Sequence, residues 1–380
     1  MKSCATSLIV SIALLFASVA AASTPVPRPP SIASDSHILM DAHTGRILTE
    51  SNADDRLGPA SLTKIMTAYA VYSALESGQV SFDDEVVVSE DAWRMGGSRM
   101  FLEVGTTVNV DDLLDGMVIQ SGNDASLSLA EHVAGSEDAF TDLMNTYAGR
   151  IGMENTQFMN SHGMPHPEQY TSARDMARLA QALIESFPDH YKRYSQREFT
   201  YNGITQYNRN QLLWSDETVD GVKTGYTSES GYALVSSAER NGMRLISVIM
   251  GSPSVQRRTN DSRAMLNWGF RFFETHRLFE VGETVENGRV WEGVRDEVAL
   301  GPERDVLVTV PRGEYENLTA TLSFPEAIVA PVSAGDTLGR VVVTHDEEEL
   351  DDVAVVALED VERAGFFGRM ADRVRQWFED

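Results

Sequence analysis

The stretch Gly58-Pro59-Ala60-Ser61-Leu62-Thr63-Lys64 opens a helical pattern in which Leu62, Ile65, Met66, Tyr69 and Tyr72 recur at helical spacing and Gly78 ends the run. Positions three apart on a helix share a face, so the Lys64 amine can reach the Ser61 hydroxyl. A helix start also supplies unsatisfied N–H groups and a partial positive charge beside that hydroxyl. Alone, this spacing says little, because a capping serine with an exposed lysine one turn on has the same form. Two later stretches add weight. Ser121-Gly122-Asn123 follows the apolar Met117-Val118-Ile119, and Lys223-Thr224-Gly225 precedes the strand-like Tyr232-Ala233-Leu234-Val235. Each by itself reads as a helix cap or an ordinary turn. In one chain they supply a nucleophile, a second hydroxyl and a second amine.

Lysine usage sharpens the point. Of 31 basic residues in 380, only Lys2, Lys64, Lys192 and Lys223 are lysines, and two of these four sit in the stretches just quoted. Arginine stays charged in a protein, whereas a buried lysine can lose its proton and become a base. The formal net charge of −26 repels phosphate backbones, so nucleic acid is not an expected partner. The eight histidines are scattered without metal-ligand spacing, and H-E-x-x-H, P-loop, G-x-S-x-G and dinucleotide fingerprints are missing. No metal and no cofactor are expected.

Around this centre the chain divides by composition. Lys2 followed by the apolar Leu8 to Ala17 and the small residues Val19-Ala20-Ala21-Ala22 reads as an export signal over 1–22. The only cysteine, Cys4, lies within it, so a mature chain is free of thiols. A Pro-rich lead-in, Ser23 to Pro30, follows. Helices and strands then alternate over 31–276. The pair Ile38–Met40 and Arg46–Leu48 reads as a hairpin, and Leu245–Ile249 as a late strand. Over 277–360, short runs such as Val306–Val310 and Arg340–Thr344 alternate with Gly, Pro and acidic turns, the pattern of a small all-β sandwich. The acidic run Asp346-Glu347-Glu348-Glu349 reads as a solvated turn rather than a metal site. Over 361–380, Phe366, Phe367, Met370, Val374, Trp377 and Phe378 form one helical face ringed by Arg363, Arg369, Arg373 and Arg375. That is a basic amphipathic helix on an acidic protein, and a membrane surface is its expected partner.

S-x-x-K, S-x-N and K-T-G in this order mark penicillin-recognising serine enzymes. The sequence resembles the low-molecular-mass D-alanyl-D-alanine carboxypeptidases of peptidase family S11, the penicillin-binding protein 5 branch. The likeness runs from about Ser36 to the C-terminus. It is carried by Pro59–Lys64, Gln120–Ala125, Ser172–Ala177, Val219–Gly225 and Trp268–Glu274. Gly122 at the second position of the middle motif is the choice of this branch. The resemblance implies an α/β (α+β) transpeptidase-like domain with an antiparallel sheet, then a β-sandwich and an anchor helix. It also implies export to the periplasm with peripheral attachment to the inner membrane.

By resemblance, Ser61 is the nucleophile, neutral Lys64 its base and Ser121 the proton relay to the leaving amine, with Lys223 orienting it. Desolvation and the second cation, Lys223, are expected to lower the Lys64 pKa. Backbone N–H groups of Ser61 and of Tyr226, after Gly225, are implied as oxyanion donors. Asn123 holds the substrate amide, and Thr224 with Arg258 (Arg257 its rival) takes the terminal carboxylate. The implied substrate is a peptidoglycan stem peptide ending in D-Ala-D-Ala, and β-lactams acylate the same serine. Tyr226 stands where the branch has His, and the Trp93–Ser98 loop is shortened. Rival readings are a β-lactam sensor that acylates without turnover, a D,D-endopeptidase and a β-lactamase.

Overall fold

The computed structural model describes residues 9–15, 25–370 and 372. It divides into two compact units, 27–271 and a second built from 272 onward together with the N-terminal segment.

The first unit is organised on a five-stranded antiparallel sheet. Its strands are β1 (Ser36–Asp41), β2 (Ile47–Ser51), β3 (Val219–Thr227), β4 (Gly231–Arg240) and β5 (Met243–Ser252), in the order β2-β1-β5-β4-β3. The expected hairpin is the β1–β2 pair, with Leu39 opposite Thr49 and Met40 opposite Ile47. Strand residues alternate between two buried faces. Ile38, Met40, Ile246 and Val248 join the main core, while Leu39, Leu245 and Leu48 crowd Gly269 on the other face. Both faces are covered by helices, and that is why the β5 run Leu245–Met250 is buried throughout and apolar except at Ser247.

The principal helices are α1 (Thr63–Glu76), α2 (Val110–Val118), α3 (Asn123–Ala134), α4 (Glu137–Ile151), α5 (Ala173–Ser186) and α6 (Val255–Phe272). A 3-10 turn over Ala60–Leu62 leads into α1. The one-sided apolar stripe read from the sequence is wider in the structure. Ten of the fourteen α1 residues are buried, Lys64 and Thr67 among them, because α3, α4 and α5 surround this helix. Side-chain caps fix the others where the sequence signals them. Asn109, Ser136 and Ser172 accept the N–H groups of Asp112, Ala139 and Asp175.

The second unit holds a seven-stranded sheet. Its order is Ile9–Leu15, Leu318–Pro325, Thr337–His345, Glu348–Ala357, Glu297–Pro302, Glu286–Trp291 and Ile328–Val329. Phe273–Phe279 pairs separately with Val306–Pro311. Leu318, Ala320, Leu322 and Phe324 alternate inward onto a core of valines, as a half-buried strand requires. Asp346 and Glu347 form the tight turn between two strands with positive φ of 47° and 70°. The described residues hold no cluster of metal-ligating side chains. The apolar segment read as a leader lies, over Ile9–Leu15, antiparallel to Leu318–Pro325. Residues 366–370 are helical with Phe366, Phe367 and Met370 exposed, and 373–380 lie outside the described residues.

Candidate active site

A cavity of about 600 Å³ opens where the Ala60–Leu62 turn, the N-terminus of α3 and strand β3 meet. Ser61, Ser121, Asn123, Thr224, Gly225, Tyr226 and Arg258 all line it. The three short stretches, 162 residues apart from first to last, are therefore brought into one cleft. The close approach depends on Gly225. A Cβ there would lie 3.2 Å from the Pro59 carbonyl oxygen and 3.3 Å from Leu62 Cγ, so a larger residue would push β3 away from the serine.

Lys64 is 1% exposed, and its surroundings decide its chemistry. Its amine donates to Asn123 Oδ1 at 2.7 Å and to the His162 carbonyl oxygen, and its Nζ lies 3.3 Å from Ser61 Oγ. A neutral amine has two N–H bonds and one lone pair. With both N–H bonds committed to oxygen acceptors, the lone pair is left facing the Ser61 hydroxyl, which donates to it. Burial lowers the Lys64 pKa to about 7. The Asp124 carboxylate opposes the shift and the Arg209 cation adds to it. Arg209 is a cation the sequence reading did not anticipate; the expected Lys64–Lys223 neighbourhood is present, and their repulsion adds to burial in lowering the Lys223 pKa.

Lys223 is also buried, and its pKa is held well below the ordinary lysine value by desolvation, then by Lys64, Arg209 and Arg258. Ser121 has a φ of +68°, in the left-handed region. Such a conformation is costly for a serine and turns up where a side chain must be aimed. Its Oγ is buried and has no hydrogen-bond partner among the described residues. The middle stretch is anchored by its neighbour. Asp124 accepts the N–H groups of Met100, Phe101 and Leu102, while Asn123 donates to the Gly96 carbonyl oxygen. These bonds hold the short 96–102 loop against the cleft.

Of Arg258 and its rival Arg257, Arg258 is the one that lines the cleft. It is buried, donates to the carbonyl oxygens of Gly225 and Ala233 at 3.0 Å each, and leaves Nε unpartnered. Burial lowers its pKa to about 10. Arg257 turns away and pairs with Asp261. Tyr226 is half exposed and stacks on Tyr232 with ring centroids 4.3 Å apart. Its contribution to the cleft is therefore the backbone and a ring at the rim. His162 is brought here too, although no sequence motif marked it. Burial and the Lys64 charge lower its pKa to about 3, and its Nδ1 accepts the Met164 N–H. It is a poor proton acceptor beside the lysine. Sequence reasoning also missed Arg209, which lines the cavity from the loop after the small hairpin Glu198–Tyr207. Its only flag is a basic residue between two asparagines.

A half-buried serine beside a buried lysine, with a second serine and a second lysine at the edge of an antiparallel sheet, defines an acyl-transferring serine enzyme with a lysine base. The chain belongs to the D-alanyl-D-alanine carboxypeptidase family of serine peptidases: the family model matches residues 22–254, and the model for the penicillin-binding protein 5 C-terminal domain matches 273–363. It is 44% identical over 376 residues to the D-alanyl-D-alanine carboxypeptidase DacC of Escherichia coli (strain K12), covering 96% of this chain and 94% of that one. Penicillin-binding protein 5 from Haemophilus influenzae superposes with a TM-score of 0.83 at 41% identity, over 89% of this chain and all of that one. Penicillin-binding protein D2 from Listeria monocytogenes, solved in its ampicillin-bound form, matches at 28% identity with a TM-score of 0.60, over 64% of this chain and all of that one.

Proposed function

We propose that this chain removes the terminal D-alanine from peptidoglycan stem peptides through an acyl-enzyme on Ser61. The observation that carries the reading is the buried Lys64 Nζ, 3.3 Å from Ser61 Oγ and donating to Asn123 and His162, so that the neutral amine has its lone pair free for the serine. Ser61 loses its proton to Lys64 as Oγ attacks the carbonyl between the two D-alanines. The oxyanion so formed is met by the N–H groups of Ser61 and Tyr226. Ser121, with Lys223 behind it, relays that proton from Lys64 to the leaving amine, so the peptide bond breaks and Lys64 is neutral again. Thr224, Arg258 and Arg209 meet the terminal carboxylate; Asn123 meets the substrate amide. Water, giving up a proton to Lys64 in turn, then hydrolyses the ester. A β-lactam acylates the same serine, as the ampicillin-bound form of the Listeria relative supports.

We also infer that residues 1–22 export the chain and that 361–380 hold it peripherally on the inner membrane. The short apolar N-terminal run and the exposed Phe366, Phe367 and Met370 support this, and no helix among the described residues is long and apolar enough to span a bilayer. The test of the activity is incubation with a peptide ending in D-Ala-D-Ala, followed by mass spectrometry after penicillin exposure. Free D-alanine and an adduct on Ser61 are expected; an adduct elsewhere, or no D-alanine, rejects the mechanism.

A further inference from the structure

The Lys64 amine is aimed by a segment that has an anchor of its own. One of its two acceptors is the His162 carbonyl oxygen, a backbone group on a stretch outside every helix and strand. A loop carbonyl keeps its direction only where the loop is tied down. Here the tie is Ser161, the residue before. Its N–H and its hydroxyl both donate to one oxygen of Glu137, at 2.9 and 2.6 Å. Its carbonyl oxygen accepts the Thr67 hydroxyl at 2.6 Å, from one turn beyond Lys64 on α1. Ser161 is fully buried, so water does not compete for these bonds.

His162 brings a further donor to the same place. Its Nδ1 accepts the Met164 N–H, which leaves the ring proton on Nε2, 3.5 Å from that Glu137 oxygen. Gly163 then packs on the turn that carries the nucleophile: with φ at +87°, a Cβ there would collide with the Ala60 carbonyl oxygen. One short segment thus abuts the serine's turn and holds the lysine's amine, and Glu137 supplies the negative charge that fixes it. Glu137 stands in the first turn of α4, where Ser136 caps the helix by accepting the Ala139 N–H. That cap does not depend on the carboxylate.

We propose that Glu137 is a positioning residue for the catalytic base: it fixes the Ser161–His162 peptide so that the His162 carbonyl holds one amine hydrogen of Lys64 and turns the lone pair to Ser61. The proposal rests on the lysine-base reading of the cleft. Without the carboxylate the carbonyl loses its direction, and the amine, held by Asn123 alone, turns about that one bond. Glu137→Ala should therefore lower kcat for D-alanine release, and the rate of penicillin acylation, about 10–100-fold. Acylation and hydrolysis both use this amine, so both slow together and KM should stay within about twofold. Glu137→Gln keeps an acceptor oxygen in place and should restore kcat to within about threefold of the unaltered chain. Ser161→Ala removes the hydroxyl bond alone and should fall between. In a Lys64→Arg chain there is no amine to aim, so adding Glu137→Ala should change the residual acylation less than about twofold, whereas a carboxylate that only held the fold would add its full loss again. Titration with labelled penicillin counts the intact sites, and every rate is taken per site. Normal kcat in both Glu137→Ala and Ser161→Ala, equal loss in Glu137→Gln and Glu137→Ala, or a full further loss in the Lys64→Arg chain would overturn the positioning role while the base reading stood. Near-normal acylation by Lys64→Arg alone would overturn both.

Discussion

Replacing Lys64 by arginine keeps a cation and removes the amine that lies 3.3 Å from Ser61 Oγ. The structure sets the size of the effect. An ordinary lysine titrates near 10.5, and burial brings this one to about 7. At pH 7 roughly half of the amines are then neutral, against roughly one in 3,000 without the shift. In the unaltered chain, kcat/KM for D-alanine release should therefore climb about tenfold per pH unit below 7 and flatten above it, since protonation abolishes the base. In Lys64→Arg the guanidinium stays charged throughout, so this limb should vanish. A positioned base contributes about 10²–10⁴ in rate, and loss at the upper end is expected because the one hydrogen bond to Ser61 Oγ among the described residues is with Lys64. The assay is penicillin acylation followed by quenched mass spectrometry across pH 5–10, with D-alanine release measured in parallel. Near-normal acylation of the arginine variant, or a limb centred above pH 9 in the unaltered chain, would refute the argument.

Two neighbours should move that limb in opposite directions. Arg209→Ala removes a cation that lowers the Lys64 pKa, so the limb should shift to higher pH, with a raised KM for peptides bearing a free terminal carboxylate; an unmoved limb would count against the assignment. Asp124→Asn removes an anion that favours the ammonium, so the limb should shift to lower pH. The same change weakens three charge-assisted bonds to the 100–102 backbone and should cost about 2–3 kcal/mol in urea unfolding. A chain ending before Gly365 should no longer co-float with vesicles of anionic lipid while keeping its D-alanine release; continued flotation, with the leader cleaved, would refute the anchor.

The sequence spoke most clearly where the chemistry is local. Ser61 and Lys64 are one turn apart, so their meeting needs only a helix, and the β1–β2 hairpin announces itself through its Asp41–Gly45 turn. The assembly of the three stretches was legible because their residue types are unusual in combination. Arg209 was hidden because its position depends on a loop after the small hairpin, and no period or spacing marks it. His162 was hidden for a related reason: its backbone carbonyl oxygen, a group every residue carries, is what holds the lysine. The α1 pattern was read as one apolar stripe, whereas burial on nearly all sides follows from α3, α4 and α5 closing around it.

The open edge of β3 has a consequence for the enzyme's neighbours. A bare strand edge commonly recruits other strands and seeds association. Here the Ser61 turn, the α3 start and the 96–102 loop stand across a cavity of about 600 Å³, the volume of a short peptide tail. A folded protein keeps its strands bundled with partners and cannot thread one into such a slot. A hydrolase of this shape can work in a crowd of intact proteins and leave them uncut.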